Sequence, residues 1–331
     1  MKKYIQIVLI FLLFLMLIPM IALLTGKRSE KPEPGTVSRK LECPETVKIL
    51  DEKAGSTIEV SFEDYIVGAV AAQMPYSFEE EALKAQAVLA QTYIISRRLS
   101  EQSDPTDSLL GADISRDTSV YQPYCTDEEI DELYGEDSEQ AKKKIKAAVK
   151  EVLYEVAVYD DMPIISAFHG ISSGFTESAE NAWGIDIPYL VSVESECDPS
   201  SPDYSKKYII DDNELKEKLN EHYPDIKFSG KAESWLDISE TSRGGTVLSI
   251  GIGDDKTMIS GYDFMKIFDL RSPCFKFTHE GGSFTITVCG CGHLVGMSQN
   301  GANEMAKLKK TYKDILRFYF KGIEIQKLKK Y

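Results

Sequence analysis

Three stretches of this sequence collect side chains able to hold or move a proton. The first is Ser61–Ser100, SFEDYIVGAVAAQMPYSFEEEALKAQAVLAQTYIISRRLS. It reads as two helices meeting at Pro75, with Ser61 and Asp64, then Ser77 and Glu80, spaced as capping pairs. Met74 precedes a proline and is pushed out of helical geometry, so Gln73 and Met74 sit at a helix end where side chains face a cleft. In the second helix Ala82, Gln86, Ala90, Tyr93 and Arg97 share one face. Its small residues admit a close neighbour, and Gln86 and Tyr93 need hydrogen-bond partners if buried. Such residues either tie loops to a core helix or orient a cleft residue.

The second stretch is the loop GISSGFTE, which follows a strand ending at His169. Ser172, Ser173, Thr176 and Glu177 offer a polar ligand hydroxyls and a carboxylate, and an ordinary turn explains them equally well. His169 is either a core histidine or part of a site. A serine-hydrolase triad here would rest on residue types alone. The third stretch is GCGHLVGMSQNGA, Gly290–Ala302, where a strand passes into a helix N-terminus. Its glycines permit tight turns and close approach, and His293, Ser298 and Gln299 stand where polar ligands bind. On a strand, Cys289, Cys291 and His293 point the same way, which raises a zinc site. A fourth ligand is not evident, and alternate cysteines on a strand are commonly just buried.

The elements that must position these residues alternate in type. Val47–Leu50 and Thr57–Val60 read as strands. Residues 101–136 read as loop, and Ser138 caps a lysine-rich helix whose charged face is solvated. VLYEVAVY and PIISAFH are strands around an Asp160-Asp161 turn, and Pro188–Glu194 is another. Asp211–His222 is a surface helix. Residues 231–277 form hairpins around an Arg243-Gly244-Gly245 turn, with a short helix at 263–268. FTITVCGCGH is a strand, GMSQNGANEMAKL begins a helix, and Thr311 caps a last helix closed by Gly322. Helices mixed with mainly antiparallel, hairpin-connected strands predict an α+β fold. No glycine-rich phosphate loop has the required context.

Composition narrows the partners. A net charge of −15 argues against a phosphate-backbone binder, so no nucleic-acid partner is expected. Ile5–Thr25 is an apolar run without charge, flanked by Lys2, Lys3, Lys27 and Arg28. About 20 apolar residues span a bilayer, and no small-x-small cleavage site follows, so residues 1–26 read as an uncleaved transmembrane signal-anchor. Residues 27–45 are a charged, proline-bearing tether, and residues 46–331 are the folded domain. The six cysteines match no standard zinc framework and leave one or two disulfides open, without choosing a pairing.

Together the motifs resemble the stage II sporulation protein D family, which includes an enhancer of a cell-wall amidase. The residues that carry the likeness are Glu63–Ile94, Ala167–Gly184 with Pro188–Ser195, and Gly292–Ala306 followed by YKDILRFYFKGIEI. The resemblance implies a single-pass membrane protein with its domain outside the cytoplasm, in the space between mother cell and forespore. There it would act on peptidoglycan glycan strands during engulfment, with the stage II sporulation proteins M and P. It also implies a glycan-binding cleft and lytic transglycosylase activity on peptide-free strands. In that reaction one carboxylic acid protonates the glycosidic oxygen, and the sugar's 6-hydroxyl closes a 1,6-anhydro ring.

In the family's A-A-E-M-P motif the glutamate is the acid; here that position is Gln73, whose amide carries no titratable proton. His293 stands at the family's histidine, Leu294 replaces the glycine after it, and Asn300 replaces the usual tyrosine. Some members hold zinc through cysteines, but only Cys125 falls in a comparable region, so no ligand set is assigned. The expected catalytic set is therefore Gln73, Glu177 as substitute acid, and His293. Glu79, Glu80 and Glu81 are weaker substitutes, because a helix first turn favours their ionised form. The expected glycan-binding set is Gln86, Tyr93, Ser172, Ser173, Thr176, Ser298 and Gln299. Three functions follow: a transglycosylase with a displaced acid, a non-catalytic glycan-binding scaffold, or an activator of a separate wall amidase.

Overall fold

Ser61 starts the helix on which the site is built, as its spacing from Asp64 predicts. In the computed structural model, which describes residues 41–330, its Oγ accepts from the Asp64 N–H at 3.1 Å and donates to the Asp64 carboxylate at 2.6 Å. The helix Phe62–Gln73 follows the antiparallel pair Thr46–Asp51 and Ser56–Ser61. It stops at Met74, extended at φ −140° and ψ 134°, directly before Pro75. The expected membrane anchor lies outside the described residues, among which no helix is long and apolar enough to cross a membrane. The compact unit begins at Glu42, whose strand Glu42–Cys43 pairs in parallel with Lys329–Lys330.

The next helix, Glu80–Ser103, departs from expectation at its start. Ser77 does not cap it; Glu79 is the N-cap and makes no side-chain cap bond. Asn303 Oδ1 accepts from the Glu79 N–H at 2.8 Å, so a side chain from a distant helix satisfies this end. From Ala82 to Thr92 the helix is buried at every position. It packs against the helices Ser138–Val152, Gln299–Lys307 and Tyr312–Tyr319 and the strand Glu155–Tyr159. The run of alanines lets these neighbours approach on several sides at once.

Residues 101–136 are more ordered than a loop. The helix runs on to Ser103, and Asp127–Tyr134 is a further helix with a complete Thr126–Glu129 capping box. It buries only Ile130, too little apolar periodicity to announce it. The lysine-rich helix begins at Ser138 itself, with Asp137 at its cap. Lys142 on its face meets Asp127 at 2.6 Å and Asp131 at 2.8 Å.

Asp160 and Asp161, at φ 49° and 60°, turn Glu155–Tyr159 back into Met162–Pro163, and Glu324–Lys327 pairs on the other edge. Pro188–Glu194 is not a strand: it contributes one isolated bridge, Phe175 to Glu194. Its polar backbone is satisfied by a loop instead. Thr176 N–H donates to Val193 O at 2.8 Å, and Thr176 Oγ1 accepts from Val193 N–H at 2.9 Å.

A second apolar cluster joins two three-stranded antiparallel sheets. One is Leu236–Thr241, Val247–Ile252 and Thr257–Ser260; the other is Ser205–Asp211, Phe275–Glu280 and Ser283–Cys289. Leu215, Trp235, Ile250, Phe264, Phe284 and Ile286 are at its centre. Parallel pairing among the described residues is confined to contacts of one or two residues, including Phe168–His169 with Met297–Ser298 and the single bridge Glu177 to Val295. The expected α+β class with mainly antiparallel strands agrees with this architecture.

Candidate functional site

Three glutamines from two ends of the chain converge at the end of the Phe62–Gln73 helix. Gln73 Oε1 accepts from Gln86 Nε2 at 2.7 Å, and Gln73 Nε2 donates to the Pro123 carbonyl at 3.1 Å. Gln299 Nε2 donates to the Gln73 main-chain carbonyl at 2.7 Å and to Gln86 Oε1 at 3.3 Å. Gln86 is fully buried and Gln73 half-buried. Sequence alone left Gln86 between tying down loops and orienting a cleft residue; its bond to Gln73 is the orienting arrangement.

Each glutamine is held by its element. Ser298 caps the Gln299 helix, its Oγ accepting from Gly301 N–H at 3.1 Å. Gly301 leaves room for the Tyr319 and Ser195 hydroxyls: a Cβ would strike the first and lie 2.5 Å from Ser195 Oγ, so a larger residue would displace them. Tyr93 acts through the Pro123 loop: its hydroxyl accepts from the Gln122 N–H at 3.2 Å. Gln122 Nε2 in turn donates to Ser166 O at 3.4 Å. Tyr93 thus fixes the carbonyl against which the Gln73 amide rests.

The hydrogen bonds of Gln73 ask for one donor and one acceptor on the same planar group. An amide meets that demand, and so does a protonated carboxylic acid; a carboxylate does not, because it would face the Pro123 carbonyl with a lone pair. All groups bonded to the Gln73 side chain are amides or main-chain carbonyls. The set can orient a sugar hydroxyl or acetamido group, and it holds no titratable proton.

Glu177 lies elsewhere. It is 2% exposed, and its Oε1 accepts from Ser178 N–H and Asn181 Nδ2, both at 2.9 Å. Its own N–H donates to Leu294 O at 2.7 Å. Its partners fasten the short helix Ala179–Trp183, and none belongs to the glutamine set.

The loop hydroxyls turn inward. Ser172 and Thr176 are buried, and Ser173 Oγ donates to Gly244 O at 2.7 Å. Ser172 Oγ accepts from Gly174 N–H at 3.1 Å. Their organiser is Asp198, fully buried, whose carboxylate accepts from Ser172 N–H at 3.1 Å, Ser298 Oγ at 3.0 Å and Asn300 Nδ2 at 2.9 Å. Asp198 sits in the run CDPSSPD, which reads only as a turn.

His293 and His169 share one residue. The Val295 carbonyl accepts from His169 Nδ1 and its N–H donates to His293 Nδ1, each at 3.1 Å. Burial, helped by the neighbouring His293, pushes His169 down to about 3, and burial pushes His293 down to about 4. Both are neutral near neutral pH, and with Nδ1 spent as an acceptor His293 is no general acid there. The Trp183 ring lies 5.8 Å from that of His293. Leu294, where the resembling family has glycine, is held at φ 66° with its side chain fully buried.

The expected alignment of Cys289, Cys291 and His293 does not form. The strand ends at Cys289, and Gly290 and Gly292, at φ 77° and 101°, break the alternation. Among the described residues no group of three or more His, Cys, Asp or Glu side chains is placed to hold a metal, Cys125 included.

Known proteins carry the same sequence pattern. A family model described as Stage II sporulation protein matches residues 51–159. Stage II sporulation protein D of Bacillus subtilis (strain 168) is 33% identical over 297 residues, spanning 90% of this chain and 83% of the relative. The protein of the same name from Bacillus amyloliquefaciens is 34% identical over 284 residues, spanning 86% and 79%. An "Amidase enhancer" of Bacillus subtilis (strain 168) is 25% identical, spanning 77% of this chain and 39% of its own. At 33% and 34% identity over most of its length to two proteins of that name, the chain belongs to the Stage II sporulation protein D family.

Proposed function

We propose that this protein serves cell-wall remodelling in sporulation by holding peptidoglycan glycan strands at the Gln73–Gln86–Gln299 site without cutting them there. The observation that carries this reading is the bonding of Gln73, an amide fixed between Gln86 and Pro123 where glycosidic cleavage needs an acid. Glu177, the expected substitute, is committed to Ser178 and Asn181 and has no bond to this set, so a displaced-acid transglycosylase is the weaker reading. Family membership and the likeness to the amidase enhancer support a role at the wall.

In this reading residues 5–25 anchor the chain in the membrane with the domain outside the cytoplasm, and the stage II sporulation proteins M and P are its partners. The likeness to the amidase enhancer also favours a second reading, activation of a separate wall amidase. Co-sedimentation of the purified full chain with peptide-free glycan strands tests the first. Retention that weakens in Gln299→Ala supports it, and no retention of the unaltered chain removes it. A rise in the rate of an added wall amidase would mark the second.

A further inference from the structure

We propose that Cys274 and Cys289 form a dithiol that closes to a disulfide, a modification site at the foot of the segment carrying His293. The two stand opposite each other on adjacent antiparallel strands. Phe275 is in register with Val288, and the Cys289 N–H donates to the Cys274 carbonyl at 2.8 Å. Residues opposed in this way have Cα atoms about 5.5 Å apart, inside the span a disulfide bridges. Ser272 braces the pair, its Oγ donating to the Cys289 carbonyl and accepting from the Cys274 N–H at 3.2 Å. Other cysteines face different residues: Cys43 is in register with Lys330, and Cys291 bridges to Ile171.

Burial separates the roles of the two sulfurs. Cys274 is 9% exposed, and burial pushes its thiol up to about 12. Cys289 is more open and is the sulfur that meets an oxidant. The oxidant is a disulfide, the class that extracytoplasmic thiols encounter. The Cys289 thiolate attacks one of its sulfurs and expels the first thiol; Cys274 then displaces the second from the mixed disulfide. One protein S–S bond forms, the oxidant's S–S bond breaks, and two electrons and two protons pass from the two cysteines to the released thiols.

The bridge would close residues 274–289 into a ring and constrain the unfolded chain. It would also fix the point from which the chain leaves for His293. Immediately beyond it Gly290 N–H donates to Tyr204 O at 2.8 Å and Cys291 N–H to Ile171 O at 2.7 Å. This pairing is a property of the hairpin and does not depend on glycan engagement.

The test treats the purified full chain with oxidised glutathione, alkylates the remaining thiols, and maps peptides by mass spectrometry without reduction. The expected result is one cross-link, Cys274 to Cys289, with the other four cysteines alkylated. The thermal midpoint should rise on oxidation in the unaltered chain and stay fixed in Cys289→Ser. Alkylation of both residues after oxidation, glutathione retained on Cys289, or a Cys289–Cys291 link would each overturn the proposal. The map is made on the unaltered chain, so it decides the matter whether or not a variant folds.

Discussion

Gln86 Nε2 donates to Gln73 Oε1 at 2.7 Å, joining two helices through groups that carry no titratable proton. Replacing Gln86 by Leu leaves Gln73 Oε1 and Gln299 Nε2 each short of a partner. A buried polar atom left unpaired costs about 1–3 kcal/mol. Urea unfolding of Gln86→Leu should show a loss in that range, together with weaker retention on glycan strands. Full retention would show that the glutamine set does not touch the strand.

Asp198 is expected to matter more for stability than any residue of the glutamine set. It accepts from Ser172, Ser298 and Asn300 with no exposed surface. Asp198→Ala strands all three donors and should cost about 3 kcal/mol or more. Asp198→Asn keeps the acceptor for Ser298 and Asn300 but sets an amide donor against the Ser172 N–H, for a loss of about 1–2 kcal/mol. Equal losses in the two variants would refute this division of roles.

Leu294 sets two effects against each other. Its left-handed backbone, φ 66°, disfavours any side chain by about 1–2 kcal/mol, while deleting a buried leucine side chain costs about 2–5 kcal/mol. The burial effect wins, so Leu294→Gly should destabilise. Glycine nevertheless escapes the strain that alanine keeps, so Leu294→Gly should be the more stable of the two variants by about 1 kcal/mol. Thermal unfolding of the pair gives the order directly.

The two histidines make the fold acid-sensitive. Both are held below their unfolded value of about 6.5, His293 at about 4 and His169 at about 3. Below about pH 6.5 the unfolded chain therefore binds more protons than the folded one. The stability they contribute is complete above that pH and is lost progressively as the pH falls from there to about 4 for His293 and about 3 for His169. Urea unfolding between pH 7 and pH 4 should show this decline, on the order of 2–3 kcal/mol for one histidine. His293→Asn should flatten it, and an unchanged slope would contradict the assignment.

Much of this arrangement was legible before the fold was known. The Ser61 cap, the break at Pro75 and the Thr311 cap are local, and local chemistry decides them. Gln86 was marked by its place on a small-residue helix face, though its partner was not. What could not be read depends on distant groups. Asn303 rather than Ser77 satisfies the start of the second helix, Asp198 gathers three segments from an unremarkable turn, and Pro123 meets Gln73 beside Gln122, whose N–H bonds the Tyr93 hydroxyl. The serine-rich loop reads equally well as a turn or a ligand site, and its Ser172 and Ser173 hydroxyls bond protein groups.

The central claim is that the Gln73 position lacks only its acid. Gln73→Glu places a carboxyl between the Gln86 donor and the Pro123 acceptor, a setting that favours the protonated form and raises its titration above the ordinary glutamate range. The decisive measurement is the yield of 1,6-anhydro ends, by mass spectrometry, after peptide-free glycan strands are incubated with the unaltered protein or with Gln73→Glu. The account predicts no such ends from the unaltered protein and measurable ends from Gln73→Glu. Ends released by the unaltered protein as fast as by Gln73→Glu would contradict it.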